Sequence, residues 1–571
     1  MLRASNQFFP AMWWVILAAS ASAADAQDLS GIAAGQLQRQ QQQERQRSVD
    51  LEAARPDVRL SPLSPGVPDT YPVGESPCFP VERIILQGDS DGVFLRFLEP
   101  VDGALGRCLG SGGLNIVIAR VQNALVAAGY VTTRVLAPPQ DLRTGTLTLT
   151  VVPGRIRAVR IVQPADGNAA WHQPTWANAL PGGPGDILNV RDIEQALENF
   201  KRVPTAEADI NVEPGDKPGE SDLVIQWRQA RPLRFGVSVD DSGARATGRL
   251  QGNVTAALDN ALGWNDLAHI SMGNDLSGDG DNGARGTRNY AAHYSVPFGS
   301  WLLSTSASHY RYVQSIAGAN QNYEYSGTST NADIKLSRMV YRDASRKLSL
   351  FGRVYRRASE NFIDDTEVEV QRRRMAGYEL GLTHKEFIGQ ATLEATVSYR
   401  HGAQILGAIP APEELFGEGT ARPRIISADV ALNVPFSVGG ANLHYLGLLR
   451  GQSSSSSLIP QDRFAIGGRY TVRGFDGESN LLAARGWLLR NDISAPLGDS
   501  GQQLFVGLDY GAVSGPETQY LAGTQLAGAV IGMRGQWQRL QYEVFVGKPI
   551  SKPDAFDTAS VTSGFSLSMS F

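Results

Sequence analysis

Long apolar runs are missing from this 571-residue sequence beyond its first 26 positions. A helical membrane protein needs several apolar stretches of about 18 or more residues, so that class is excluded. Charge is also sparse: Asp, Glu, Lys and Arg make up 19% of the chain, below the ~25% usual for soluble domains. Without a basic cluster, and with a net charge of −5, the chain carries no nucleic-acid footprint. Two cysteines rule out a disulfide-dense scaffold and a multi-thiolate zinc site. The seven histidines (His172, His269, His293, His309, His384, His401 and His444) show no ligand spacing. A phosphate-cradling Gly-Lys-Ser/Thr loop is absent, because Gly547-Lys548 runs straight into Pro549. Nothing in the sequence calls for a cofactor.

Two motifs look chemical and fail on context. Gly88-Asp89-Ser90-Asp91-Gly92 has the spacing of a nucleophile elbow. That elbow needs a strand-to-helix turn with Asp and His partners, and His172 is the one histidine within the two small units that precede residue 231. The segment reads as a turn. Asp275, Ser277, Asp279 and Gly280 resemble the start of a calcium loop, but position twelve is Gly286, where a bidentate Glu is required. Enzymatic activity is not expected.

Several segments do carry organisation. Arg3 precedes the small and apolar stretch Ala11 to Ala24, followed by two small-x-small sites, Ala21-Ser22-Ala23 and Ala24-Asp25-Ala26. This is the pattern of a cleaved export signal over 1–26; a short membrane anchor is the competing reading. Export would place Cys78 and Cys108 in an oxidising compartment, as a disulfide or as two separate buried thiols. Residues 27–51 are Gln-rich (Gln36, Gln38, Gln40 to Gln43, Gln46), free of Pro, and helix-forming without an apolar face. Such a helix needs water or a polar cavity. Residues 52–77 carry Pro56, Pro62, Pro65, Pro68, Pro72 and Pro77 and read as an extended linker.

Two αβ units of roughly 75 residues follow, small but foldable. In 78–154, Val81 to Leu86, Val131 to Leu136 and Thr146 to Val152 read as strands, and Leu114 to Ala128 as a helix stopped by Gly129. In 155–230, Ile156 to Val162 and Leu223 to Trp227 read as strands. Asn189 caps a helix with Ile193, Leu197 and Phe200 on one face.

From 231 to 571 the period becomes two. Leu233, Phe235, Val237 and Val239 alternate with polar residues; Tyr290 to Phe298 and Val561 to Phe571 do the same. Alternating segments of ~10 residues between turns mark a transmembrane β-barrel, and ~340 residues at ~20 per strand and connection give about 16 strands. A soluble β-sandwich or propeller is the competing reading. Ser453 to Ser457 reads as a flexible connection. Phe464 to Phe475 is Gly-punctuated and places Arg473 at a loop tip. On the later strand, Leu504, Val506, Leu508 and Tyr510 form a lipid-side face and leave Phe505, Gly507 and Asp509 inside.

Taken together, these segments resemble the TpsB transporters of two-partner secretion, within the outer-membrane assembly superfamily. Gly185 to Phe200, Pro214-Gly215 and Gly219 to Leu223 look like a second POTRA domain. Val472-Arg473-Gly474-Phe475 matches the motif at the tip of the sixth extracellular loop, and Phe505-x-Gly507-x-Asp509 the barrel-wall motif that receives it. The resemblance implies an antiparallel barrel of about 16 strands preceded by two POTRA domains and an N-terminal plug helix. It suits a Cys78–Cys108 pair in the first POTRA domain and a terminal Phe571 as assembly signal. It further implies an outer-membrane monomer, set among lipid, inserted by the barrel assembly machinery and exporting an exoprotein that bears an N-terminal secretion domain, with no catalysis and no cofactor. A factor that inserts other barrels and a porin-like channel are the alternatives. Arg473 is expected to pair with Asp509 in a partly wet lumen, positioning the loop more than stabilising the fold.

Overall fold

The computed structural model describes residues 35–44, 56–60, 66–162, 172–278, 284–318 and 321–571. The signal segment 1–26 lies outside the described residues, as do Asp279 and Gly280. Residues 35–44 form helix α1, Ser111–Ala127 helix α2 and Val190–Lys201 helix α3.

In the first αβ unit, α2 buries Ile116, Val117, Val121 and Leu125 against Leu147, Leu149 and Val151. The last three come from the central strand Thr146–Val152, which pairs parallel with Arg83–Gln87 and antiparallel with Arg134–Leu136. Cys78 and Cys108 are joined by a disulfide, 5.3 Å between Cα atoms. Closing a 30-residue loop stabilises such a unit by about 3–4 kcal/mol through the unfolded chain. Val81 precedes the strand proper; it is buried and its amide bonds to the Arg107 carbonyl. Val131 likewise lies before its strand, bonded to Gly129. Gly88 to Gly92 forms a turn, and the Asp89 carboxylate accepts from the amides of Val93, Phe94 and Leu95 to start the 3₁₀ helix Leu95–Ala104.

The second unit repeats the plan. Glu220–Gln229 is central, parallel to Arg155–Val162 and antiparallel to Ala206–Pro214. Ile193, Leu197 and Phe200 of α3 enter its core with Leu223, Ile225 and Trp227. Arg155 of the second unit pairs with Asp91 of the first at 2.6 Å, and Asn189 joins the two units at the helix ends. Asn189 caps α3 by accepting from the Arg191 amide, and its own amide donates to the Ala128 carbonyl at the end of α2. Gly129 permits that approach: its φ is +100°, and a Cβ there would lie 2.1 Å from Asn189 Oδ1.

The rest is a closed antiparallel barrel of 16 spanning strands, with the two-residue strand Thr366–Glu367 added on one hairpin. The first strand, Leu233–Asp240, closes on the last, Thr562–Ser570, through five residue pairs. Phe571 and Phe235 then exchange backbone hydrogen bonds, with the Phe571 ring exposed. Closure leaves the sheet no open edge, which a sheet in lipid requires. Ser453 and Ser454 belong to the strand Ala441–Ser454, and Ser454 Oγ donates to the Arg424 and Ser456 carbonyls. The serine run expected as a connection is thus divided: Ser453 and Ser454 extend the strand, and Ser455 to Ser457 lie in the connection that follows it.

The second unit sits on the barrel's short turns. Arg202 donates to the Asn265 carbonyl and to Ser295 Oγ, and Asn199 to the Gly299 carbonyl. Inside the barrel lies α1. Gln38 donates to the Pro460 and Arg463 carbonyls, Gln43 to Ser242, and Glu44 accepts from Ser308. A helix with no apolar face thus finds the polar surroundings it needs.

In α3, burial pushes the Asp192 carboxyl up to about 6 from 3.8; the neighbouring Asp186 adds to the shift and Arg342 opposes it. The folded protein then holds this proton more tightly than the unfolded chain, so stability is lost as pH rises through that window. Asp192→Asn should stabilise the folded protein at pH 8 by up to about 3 kcal/mol, raising the midpoint of the helix-melting transition, and change little at pH 3. Circular dichroism melts at both values check this; an equal effect at both contradicts it.

Candidate functional site

The connection between the strands Ala441–Ser454 and Arg485–Pro496 folds back into the lumen. Its inner part packs Ile466, Val472, Phe475 and Leu481 into one apolar cluster with Leu488 and Val513 of the wall. Phe475 meets Phe556 edge to face at 5.8 Å. This cluster holds the tip in place by burial, and Gly474 turns it with φ +96°.

Arg473 then reaches the wall. Nε donates to Asp509 Oδ2 at 2.7 Å and Nη2 to Asp509 Oδ1 at 2.8 Å, a bidentate pair. The Arg473 backbone amide donates to the same Asp509 Oδ2 at 2.9 Å. A third residue, absent from the sequence reading, completes the group: Asp492 accepts from Nη1 at 3.2 Å and from Nη2 at 2.5 Å. Arg473, Asp492 and Asp509 are 5%, 6% and 4% exposed. The expectation of a partly wet pair is therefore corrected. The apolar cluster above and the wall beneath exclude water, so the ions depend on one another. Truncating one partner of such a buried group typically costs about 3–5 kcal/mol.

The strand Gln502–Ser514 has Leu504, Val506 and Leu508 exposed to the lipid side and Phe505, Gly507 and Asp509 buried inside. Gly507 is needed for clearance, since a Cβ there would lie 2.6 Å from both Arg473 Nη2 and Asp492 Oδ1. Gly528 on the next strand serves the same end, 1.9 Å from the Arg473 carbonyl by the same measure. The structure thus brings Arg473, Gly474, Gly507 and Asp509 together. Val472 and Phe475 pack in the cluster above. Phe505 lies one row lower, with Val530 and Phe545 and under the Arg534 guanidinium.

The base of the loop has its own anchor, also unread from sequence. Arg469 pairs with Asp241 at 2.7 Å, and Asp241 accepts from the Phe565 amide of the last strand. Cys78, Cys108 and Phe571 lie apart from this site, in the first unit and at the barrel seam. Among the described residues, no group of three or more His, Cys, Asp or Glu side chains could hold a metal ion.

Comparison with known proteins gives three family matches. Residues 219–535 match the family described as haemolysin secretion/activation protein ShlB/FhaC/HecB. Residues 79–154 match the ShlB-type POTRA domain, and 155–214 a POTRA domain. The outer membrane transporter CdiB-2 of Burkholderia pseudomallei (strain 1026b) is 37% identical over 94% of this chain and 92% of its own length. The hemolysin transporter protein ShlB of Serratia marcescens is 24% identical over 85% and 84%. Among solved structures, CdiB from Acinetobacter baumannii superposes with a TM-score of 0.82 at 28% identity, covering 94% of this chain and 99% of that one.

The three-ion geometry sets an order of severity. Arg473→Ala takes the hydrogen-bonding partner from two buried carboxylates at once, leaving Asp509 only Arg490 at 3.9 Å and Asp492 only Arg534 at 3.8 Å, whereas Asp509→Ala or Asp492→Ala leaves the guanidinium one close partner. Arg473→Ala should free the loop most. Each aspartate variant should do less, and the double aspartate variant should approach Arg473→Ala. Arg473→Lys should restore only part, lacking the planar fork. Protease accessibility of the loop in intact cells reads this out; full protection in Arg473→Ala contradicts it.

Proposed function

The chain belongs to the haemolysin secretion/activation protein ShlB/FhaC/HecB family of outer-membrane two-partner secretion transporters, and from that membership we propose how its parts divide the work. It is a transport protein and not an enzyme. The barrel lies in the outer membrane and the POTRA domains in the periplasm. We assign 1–26 to the export signal, 27–51 to a plug helix, 52–77 to a linker, 78–154 and 155–230 to the two POTRA domains, and 231–571 to the barrel.

The partner is an exoprotein, and we assign its docking to an N-terminal secretion domain that meets the POTRA sheets. Each sheet ends in edge strands: Arg83–Gln87 and Arg134–Leu136 in the first, Arg155–Val162 and Ala206–Pro214 in the second. An unpaired edge accepts a further strand through main-chain hydrogen bonds with little demand on sequence. The chain then threads the lumen unfolded and folds outside, as a β-helix. The periplasm offers no ATP, so folding beyond the membrane supplies direction.

One observation carries this reading: a closed barrel whose polar lumen is filled by two displaceable pieces of its own chain, α1 and the inward loop. Contacts of Gln38, Gln43 and Glu44 hold α1 with one ion pair from Arg39 to Glu478, all groups that water can replace. The Arg473 group holds the loop and acts as its lock, with Val472, Gly474 and Phe475 seating the tip and Phe505, Gly507 and Asp509 receiving it. A porin would have no use for the two domains at its mouth. Phe571 ends the strand that closes the barrel, and we assign it the recognition signal for the barrel assembly machinery. A single copy among outer-membrane lipids suffices for every step.

Removing residues 78–153 separates the two tasks. With the partner exoprotein as reporter, export should fall to background while the barrel still inserts and shifts on heating. Undiminished export would place recognition elsewhere. Loss of many unrelated outer-membrane proteins would favour an assembly factor.

A further inference from the structure

Residues 56–60 run extended between α3 and the periplasmic ends of the barrel strands Asn322–Arg342, Arg346–Ile363 and Arg373–Ile388. No strand pairs with them. Side chains take that role instead. The Val58 amide donates to Glu198 Oε1 at 2.9 Å, and its carbonyl accepts from Arg342 Nη2 at 2.6 Å. Two residues on, the Leu60 amide donates to Glu194 Oε1 at 2.6 Å, and its carbonyl accepts from Arg191 Nη1 at 3.3 Å. Both polar groups of alternate residues are met, as a neighbouring strand would meet them.

The side chains of this segment are read as well. Val58 and Leu60 pack against the core of the second POTRA domain. On the opposite side, the Asp57 carboxylate sits between Lys347 Nζ and Lys385 Nζ, each at 2.7 Å. Arg59 lies over the Phe387 ring at 4.3 Å. The segment also supplies the carboxylate that Lys347 and Lys385 share. Arg191, Arg342, Lys347 and Lys385 face Glu194 and Glu198, with Glu394 touching Lys385 alone. The Arg342 and Lys347 side chains are nearly dry, so a missing carboxylate is costly there. The site is therefore complementary to an extended peptide with an acidic residue followed by an apolar one and, two further on, another apolar one.

We propose that this is a peptide receptor at the periplasmic mouth of the barrel, filled at rest by the chain's own linker and taken during export by an acidic-apolar extended segment of the exoprotein. The inference rests on the export reading above. Its position supports the exchange. The receptor is built from a POTRA helix and the barrel wall together, where an incoming chain passes from one to the other. Recognition is mostly of backbone, which suits an unfolded substrate. The linker is tethered, so it competes at an effective concentration in the millimolar range.

The test uses the full-length transporter purified in detergent and a fluorescein-labelled peptide Pro-Asp-Val-Arg-Leu as probe. Val58→Asp with Leu60→Asp should eject the linker and open the site; Asp57→Lys is the milder variant if that pair fails to fold. Fluorescence anisotropy should show saturable binding to the opened protein and at least about tenfold weaker binding to the wild type, the site there being occupied. Adding Lys347→Glu and Lys385→Glu, or replacing the peptide's Asp by Lys, should weaken binding to the opened protein by about tenfold or more. Equal binding to wild type and opened protein, indifference to the charge reversals, or no binding to an opened protein whose barrel remains heat-modifiable each overturn the proposal. Binding to the purified protein is read without any export, so its failure leaves the transport reading standing.

Discussion

A β-sheet in lipid has no free edge it can afford to expose, and that constraint sets everything else in this molecule. Sixteen strands close on themselves, the apolar parity turns outward, and the polar parity is forced inward. A lumen lined by Ser, Asn, Arg and Asp is then a solvent of its own. It accepts α1, whose Gln36, Gln38 and Gln40 are buried without an apolar face to recommend them. It also requires that interior charges find partners, and the Arg473 group is the most enclosed example.

Two kinds of contact fill this lumen, and they differ in strength. The α1 contacts are scattered hydrogen bonds from amides and hydroxyls, two of them to the Glu44 carboxylate, with one ion pair at 3.7 Å from Arg39 to Glu478. The loop is held by an apolar cluster together with three mutually dependent ions. The two pieces also touch, since Gln38 and Arg39 of α1 bond to Pro460, Arg463 and Glu478 of the connection that forms the loop. The periplasmic side adds a third element, a linker segment seated between α3 and the barrel, through which POTRA position and lumen occupancy touch the same residues.

Much of this was legible in the sequence because period two survives from one strand to the next. The alternation from Leu504 to Tyr510 and the alternation of burial along that strand coincide. The face of α3 could be read the same way, from Ile193, Leu197 and Phe200. What stayed hidden depends on register between distant strands. Asp492 lies in the polar run Arg490-Asn491-Asp492, where parity is obscured, and it joins the site because it pairs with Gly507 across the sheet. Arg342, nearly 150 residues from its partners Glu194 and Glu198, gave no local signal at all. The serine run misled at Ser453 and Ser454 for a different reason: polarity reads as loop, although the strand continues through both.

The central claim is that the exported chain passes through the lumen that α1 occupies at rest. A photoreactive amino acid at Ser308 or Asn331, the wall positions that contact Glu44, tests it directly. In resting cells the crosslink should fall within the transporter's own N-terminal segment. With an exoprotein arrested midway in export, it should shift to the exoprotein, and a probe at the lipid-facing Leu508 should capture none. Exoprotein crosslinks at Leu508 with none at Ser308 or Asn331 would place the path outside the lumen and contradict the account.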